Sequence, residues 1–228
     1  MGFPDLAGRL ARVRETIAEQ QARAGWSHPV TIVAVTKTWG PEAVRAVSGA
    51  GLTDVGENRV QEALAKQEQL PDCPVAWHLI GKVQRKKARQ IVGRFALIHS
   101  VDRIDLAEEL QRRMVPDTSQ AVLLQVNCSD EPQKGGVEPE GLLPLLEQMV
   151  ELDRLDVRGL MTMAELTTDE GKQHRTFARL RELRDAAGRA GFDLPELSMG
   201  MSGDYSVAVQ EGATMVRLGT VLLGERDV

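Results

Sequence analysis

The sequence predicts an α/β fold built as a single (β/α)8 barrel over residues 1–228, with an extra helix in front of the first strand. Eight short apolar runs recur along the chain, and segments with helical spacing separate them. The runs are continuous rather than alternating, as expected of parallel strands buried on both faces. A length of 228 residues is on the small side for eight such units. An open doubly wound sheet is the competing architecture. It usually has fewer strands and often a glycine-rich turn after the first one. Here that turn reads Lys37-Thr38-Trp39-Gly40-Pro41, and no G-x-G-x-x-G occurs.

Leu6, Leu10, Val13 and Ile17 recur at helical steps, so the chain opens on an amphipathic helix that Gly25 stops. The first strand is Thr31–Thr36, and Pro41 starts a short helix to Ala50. Leu52–Gly56 is the second strand, followed by a helix carrying Val60, Ala63, Leu64 and Leu70. Val75–Ile80 is the third, with a basic helix over Val83–Val92. Phe95–Ser100 is the fourth, before a helix over Arg103–Met114. Ala121–Val126 is the fifth, leading through an Asp, Pro and Gly-rich loop to a helix over Leu142–Leu152. Val157–Met161 is the sixth, with a long helix over Thr168–Arg189. Leu194–Met199 is the seventh, before a short helix ending near Gly212, and Thr214–Leu218 is the eighth.

Composition narrows the function. A net charge of −5 gives no general attraction for nucleic acid or anionic membrane, and 4% aromatic residues argue against a base-stacking surface. Cys73 and Cys128 lack metal-ligand spacing and read as reduced thiols. Arg9, Arg12 and Arg14 interrupt the N-terminal apolar stretches, and no run approaches the ~18 apolar residues of a membrane helix. The expected location is the cytoplasm.

In such a barrel the chemistry collects at the C-terminal ends of the strands. Those ends supply Lys37, Glu57, Asn58, Ser100, Asp102, Asn127, Met161 to Met163, Ser202, Arg217, Gly219 and Thr220, with His78 inside the third strand. Lys37 stands out. An amine at the rim of a buried strand becomes a nucleophile toward aldehydes when burial or a neighbouring cation lowers its pKa; otherwise it is a lysine reaching water. Ser202 reads as an N-cap for the helix after it, with Gly203 leaving room for close approach. Gly219-Thr220 adds a hydroxyl and open amides in the loop after the eighth strand, where barrels often hold phosphate. The bland alternative for Ser202 is an ordinary cap.

Other motifs fail. Gly200-Met201-Ser202-Gly203-Asp204 lacks the last glycine of a nucleophile elbow. His28, His78, His99 and His174 are not at metal-ligand spacing, and no metal site is expected. Lys82, Arg85, Lys86 and Arg89 fall on one face of the expected basic helix, which reads as solvated.

Ala34-Val35-Thr36-Lys37, Gly56-Glu57-Asn58-Arg59-Val60-Gln61-Glu62, Trp77-His78-Leu79-Ile80-Gly81, Leu197-Ser198-Met199-Gly200-Met201-Ser202 and Met215-Val216-Arg217-Leu218-Gly219-Thr220 form an ordered pattern, with Gly224 just beyond. In it the chain closely resembles the pyridoxal phosphate homeostasis protein family (YggS/PROSC-like), from the first strand onward. The resemblance implies a TIM barrel like the N-terminal domain of alanine racemase. It implies that Lys37 forms the internal aldimine with pyridoxal 5'-phosphate, and that Ser202, Gly219 and Thr220 hold the phosphate. Arg217 would face the pyridine nitrogen, and Met201, Asn58 and His78 would line the ring pocket.

A guanidinium beside the pyridine nitrogen disfavours its protonation and weakens the ring as an electron sink. Racemases of this type add a tyrosine from a partner subunit, together with a further β-domain. This chain ends soon after the eighth strand, and the pattern gives its one tyrosine, Tyr205, no such role. The expected function is therefore carriage and buffering of the vitamin B6 cofactor by a monomer, with apo enzymes that need it as candidate recipients and little or no amino-acid turnover. A pyridoxal-phosphate-dependent amino-acid racemase is the alternative, and a Schiff-base aldolase acting on a phosphosugar is a third reading. Two loops depart from the family pattern. They are Gly81-Lys82-Val83-Gln84-Arg85-Lys86-Lys87, and Gln133-Lys134-Gly135-Gly136, where glycine replaces a frequent serine. Lys134 is a candidate second cation at the mouth, with a mobile solvated lysine as the plainer reading.

Overall fold

The apolar runs become eight strands in the computed structural model, which describes residues 3–129, 131 and 134–225. They are β1 (Thr31–Val35), β2 (Asp54–Glu57), β3 (Ala76–Leu79), β4 (Leu97–Val101), β5 (Gln120–Gln125), β6 (Leu155–Met161), β7 (Glu196–Ser198) and β8 (Met215–Leu218). Each pairs in parallel with the next, and β8 returns to β1 with Val33 opposite Arg217, closing the barrel. β1 shows why the runs are continuous: Ile32, Val33, Ala34 and Val35 are all buried, alternately inside the barrel and under the helices. β6 and β7 approach so closely that a Cβ on Gly159 would sit 2.0 Å from the Glu196 carbonyl oxygen, so that position accepts only glycine.

The helices are α1 (Leu6–Ala24), α2 (Pro41–Gly49), α3 (Val60–Gln69), α4 (Ala88–Ile91), α5 (Ile104–Arg113), α6 (Leu142–Met149), α7 (Glu170–Arg189), α8 (Tyr205–Gln210) and α9 (Thr220–Leu223). Helix α1 buries Leu6, Leu10, Val13 and Ile17, and Gly25 ends it in the left-handed conformation at φ 76°. It lies against α8 and α9, tied there by Trp26 Nε1 donating to the Gln210 carbonyl at 2.8 Å. Pro41 occupies the first turn of α2.

The expected basic helix over Val83–Val92 is corrected. Gln84 is extended, Arg85–Lys87 forms one 3-10 turn, and α4 is a single turn. Buried Val83 anchors the segment, and Arg103 Nη2 donates to its carbonyl at 3.4 Å. Lys82, Arg85, Lys86 and Arg89 therefore share no helical face. Helix α9, whose Leu222 and Leu223 are buried, was too short to carry a periodic signal. Cys73 and Cys128 are free thiols, and burial pushes Cys128 up to about 11. Among the described residues, no helix is long and apolar enough to cross a membrane.

The main core fills the space between strands and helices. A second apolar cluster, Leu97, Leu123, Met161 and Met215, packs apart from it. Because strand side chains alternate, His99 and Arg217, two residues beyond Leu97 and Met215, share the inner face with that cluster.

Candidate functional site

The C-terminal ends of the strands enclose a cavity of about 490 Å³. Lys37, Asn58, Asp102, Met163, Met201, Ser202, Arg217, Gly219 and Thr220 line it, as do Lys82, Lys134 and Asp204. Of the residues read from the strand ends, Glu57, Ser100, Asn127 and Met161 lie elsewhere. Ser100 Oγ donates to the Gly81 carbonyl at 2.6 Å and supports the cavity floor from behind. Gln133 lies outside the described residues.

Lys37 is exposed at the rim of β1, and its neighbours hold it there. Thr36 Oγ1 donates to Glu57 Oε1 at 2.6 Å, and Lys66 Nζ donates to the same oxygen at 2.5 Å and to the Thr36 carbonyl at 2.8 Å. Glu57, Lys66 and Thr36 are all buried, so an internal ion pair fixes the residue next to the amine. Thr38, on its other side, sits at φ 68°. That conformation strains a β-branched residue.

Ser202 does not cap the helix after it, as expected from the sequence. Asp204 is the N-cap residue of α8, and its carboxylate accepts the Met201 amide. Ser202 Oγ reaches across to the eighth strand's loop, accepting Gly219 N–H at 3.2 Å and Val221 N–H at 3.3 Å. With both lone-pair directions used, its own proton remains to be donated. Gly203 faces open space, where a Cβ would meet nothing within 4 Å. An anionic group has room there beside two hydroxyls.

Arg217 is buried, and it donates from Nη1 to Ser198 Oγ at 2.6 Å and from Nη2 to the Thr162 carbonyl at 2.9 Å. Burial lowers its pKa to about 10, with Asp204 opposing, so it stays cationic at neutral pH. Burial raises the Asp204 carboxyl, and the Met201 amide, Arg217 and Lys134 work against that rise.

His78 is corrected as a ring-pocket residue. It does not line the cavity. Its ring lies within the barrel, with Nε2 at 3.0 Å from Asp54 Oδ1 and Nδ1 at 2.9 Å from His99 Nε2. Spacing gave no sign of a histidine arrangement, because parallel neighbours β3 and β4 bring together residues 21 apart. The alternation of Leu97 with His99 on an inner strand face was the available signal. Glu57 with Lys66, and Ser198, were also missed as supports.

The barrel and the placing of its cavity define the class. Residues 9–227 match the alanine racemase N-terminal domain family. An alanine racemase from Clostridium difficile 630 superimposes with a TM-score of 0.75 at 14% identity, over 100% of this chain and 57% of that one. That likeness establishes the fold alone. The pyridoxal phosphate homeostasis protein of Aquifex aeolicus is 45% identical over 221 residues, 96% of this chain and 97% of the relative. PipY of Synechococcus elongatus, solved with PLP bound, superimposes with a TM-score of 0.83 at 40% identity, over 96% of this chain and 100% of that one. The chain belongs to the pyridoxal phosphate homeostasis protein family.

Proposed function

We propose that this chain binds pyridoxal 5'-phosphate reversibly and carries and buffers it in the cytoplasm as a monomer, releasing it to apo enzymes that need it. The observation that carries the reading is one cavity with an exposed amine, Lys37, and an anion-compatible wall, Ser202, Gly203, Gly219 and Thr220. The same group is bound in the relative PipY. When bound, the cofactor supplies an aldehyde and an electron-accepting ring. Lys37 Nζ would be the amine that holds this aldehyde reversibly. The Ser202 and Thr220 hydroxyls and the Gly219 loop hold the phosphate. Asn58 and Met201 bound the ring, and Arg217 presents a fixed cation to the ring nitrogen.

Little amino-acid turnover follows from that cation and from the lining. The only tyrosine, Tyr205, is not among the cavity residues. A racemase needs a second acid or base facing the amine across the substrate plane, and no tyrosine supplies one here.

The test is spectroscopic. The purified protein mixed with pyridoxal 5'-phosphate is expected to develop a visible band, and borohydride reduction should leave the added mass on Lys37. Lys37→Ala should lose both while keeping its circular dichroism. A reduced adduct only on another lysine, or no band in the unsubstituted protein, refutes the assignment. Inversion of single-enantiomer amino acids at ordinary enzyme rates would favour the racemase instead.

A further inference from the structure

An unbroken line of hydrogen bonds crosses the barrel interior from its N-terminal mouth to Arg217. Asp54 Oδ1 meets His78 Nε2 at 3.0 Å, His78 Nδ1 meets His99 Nε2 at 2.9 Å, and His99 Nδ1 meets Ser198 Oγ at 2.9 Å. Arg217 Nη1 donates to that same Ser198 Oγ at 2.6 Å. Five strands contribute one residue each: β2, β3, β4, β7 and β8. His78, His99, Ser198 and Arg217 are buried. Asp54 keeps 24% of its side chain exposed and lines a shallow pocket with Arg14 and Thr53, at the opposite end from the ligand cavity.

Counting donors leaves one arrangement in which both rings are neutral. Arginine only donates, so Ser198 Oγ accepts from it. The Asp54 carboxyl is held below its ordinary range chiefly by its bond from His78, so His78 Nε2 carries a proton. Burial, with the Arg217 cation nearby, keeps His99 neutral. If His99 were protonated on Nδ1, two bare nitrogens would face each other at 2.9 Å unless His78 were charged. The arrangement with both rings neutral has His99 Nε2–H donating to His78 Nδ1, and Ser198 Oγ–H donating to His99 Nδ1. Every donor then points the same way, from the guanidinium to the carboxylate.

We propose that Asp54, His78, His99 and Ser198 form a one-directional relay that positions Arg217 and couples the charge at the far mouth of the barrel to the ligand cavity. His78, His99 and Ser198 are positioning residues, and none of them touches the cavity group. The consequence for a bound chromophore rests on the cofactor reading above; the relay itself does not. Aligned dipoles between a fixed cation and a fixed anion reinforce one another in a low-dielectric interior. The Asp54 anion offsets part of the positive potential that Arg217 sets in the cavity. The other charges facing this system are Asp102, Glu165, Asp204, Lys134, Lys37 and Lys82 on the cavity side, and Arg14 at the far mouth. All of them stay the same when Asp54 alone is changed.

Two measurements test the relay. In ligand-free, 15N-labelled protein at pH 7, long-range 1H–15N spectra should show His78 and His99 both neutral and both protonated on Nε2. An Nδ1–H tautomer or an imidazolium on either ring overturns the relay. Protein loaded with pyridoxal 5'-phosphate is then titrated and the chromophore followed. Asp54→Asn keeps an acceptor oxygen for His78 but removes the charge, so the cavity becomes more positive. The titration midpoint should fall by about half a pH unit. Asp72→Asn, at an exposed carboxylate off the relay, should leave the midpoint in place. An unchanged midpoint in Asp54→Asn overturns the coupling. If the unsubstituted protein takes up no chromophore, the cofactor reading fails, while the tautomers of the ligand-free protein still decide the relay.

Discussion

Lys66→Met should be among the most damaging single substitutions in this barrel. Lys66 Nζ makes two buried bonds, to Glu57 Oε1 at 2.5 Å and to the Thr36 carbonyl at 2.8 Å. Methionine fills a similar volume and supplies neither. The Glu57 carboxylate is then left fully buried with only the Thr36 hydroxyl as a donor, and its Oε2 already has no partner. Breaking one side of a buried ion pair costs about 3–5 kcal/mol, because the remaining charge is uncompensated. Against a total stability of roughly 5–15 kcal/mol, that is a large fraction. With a urea slope of about 2–3 kcal/mol per molar, the unfolding midpoint should drop by about 1–2 M. The double substitution Glu57→Leu with Lys66→Met removes both charges and should recover most of the loss, since an apolar replacement of a whole buried pair is often neutral. Urea unfolding followed by circular dichroism measures all three proteins. A Lys66→Met loss below about 1 kcal/mol, or a double variant worse than the single one, refutes the argument that the pair is locked and dry.

Ser202→Ala removes the acceptor for the Gly219 and Val221 amides; it should lower stability by about 1 kcal/mol and weaken uptake of pyridoxal 5'-phosphate, read by urea unfolding and by absorbance titration. Gly81→Ala would drive a Cβ to 2.1 Å from the Asn58 carbonyl oxygen, and a loss of about 1–3 kcal/mol is expected in the same unfolding assay. Asp204→Asn keeps an acceptor for the Met201 amide but removes a carboxyl whose pKa burial raises. A raised folded pKa means the carboxyl supports folding most fully below its unfolded value of 3.8 and loses that support as pH rises through the folded value. The asparagine variant should therefore be more stable than the parent at pH 7, with the advantage disappearing near pH 4 in thermal melts. An advantage that grows toward acid would reverse the assigned sign.

The strands were readable because burial on both faces writes itself as uninterrupted apolar residues, as in Ile32 to Val35. Their ends shifted by at most two residues, as at β2, where Leu52 is buried by packing without belonging to the strand. Lys37, Asn58, Ser202, Arg217, Gly219 and Thr220, read from the strand ends, line one cavity because a barrel gathers its strand ends whatever lies between them, and Met201, named from the resemblance, lines it with them. What stayed hidden were choices between local and distant partners. Ser202 looked like a cap for its own helix, and the structure gives it amides from the next loop instead. The Lys82–Arg89 stretch had helical composition, yet buried Val83 and the Arg103 bond hold its start extended. His78, inside the third strand, was placed in the ring pocket by the family resemblance alone. An inner-face residue one step below the rim meets the barrel interior, and its partner His99 is set by strand register rather than by spacing.

The two walls of the cavity are built to different standards, and this bears on a protein that must both hold a ligand and release it. On the β7–β8 side the groups are bonded to one another, with Asp204 and Arg217 buried and Ser202 half-buried. Ser202 joins two amides of the next loop, Asp204 takes the Met201 amide, and Arg217 N–H donates to the Gly200 carbonyl at 2.9 Å. The opposite wall comes from the segments after β5 and β6. There Leu166 is 95% exposed, and the polar ties include the half-buried pair Lys134 with Glu131 and the pair Lys172 with Glu165, each at 3.2 Å, beside Gln125 Nε2 donating to the Lys134 carbonyl at 3.1 Å and Gln173 Nε2 to the Thr167 carbonyl at 2.7 Å. A surface pair such as Lys172 with Glu165 contributes about 0–1 kcal/mol, so little of the hold on that wall comes from it. If Lys37 holds the cofactor as proposed, the Ser202 side would keep the phosphate while water reaches the amine, which is exposed at the rim of β1. Release would then need water at that amine and no unfolding of the barrel.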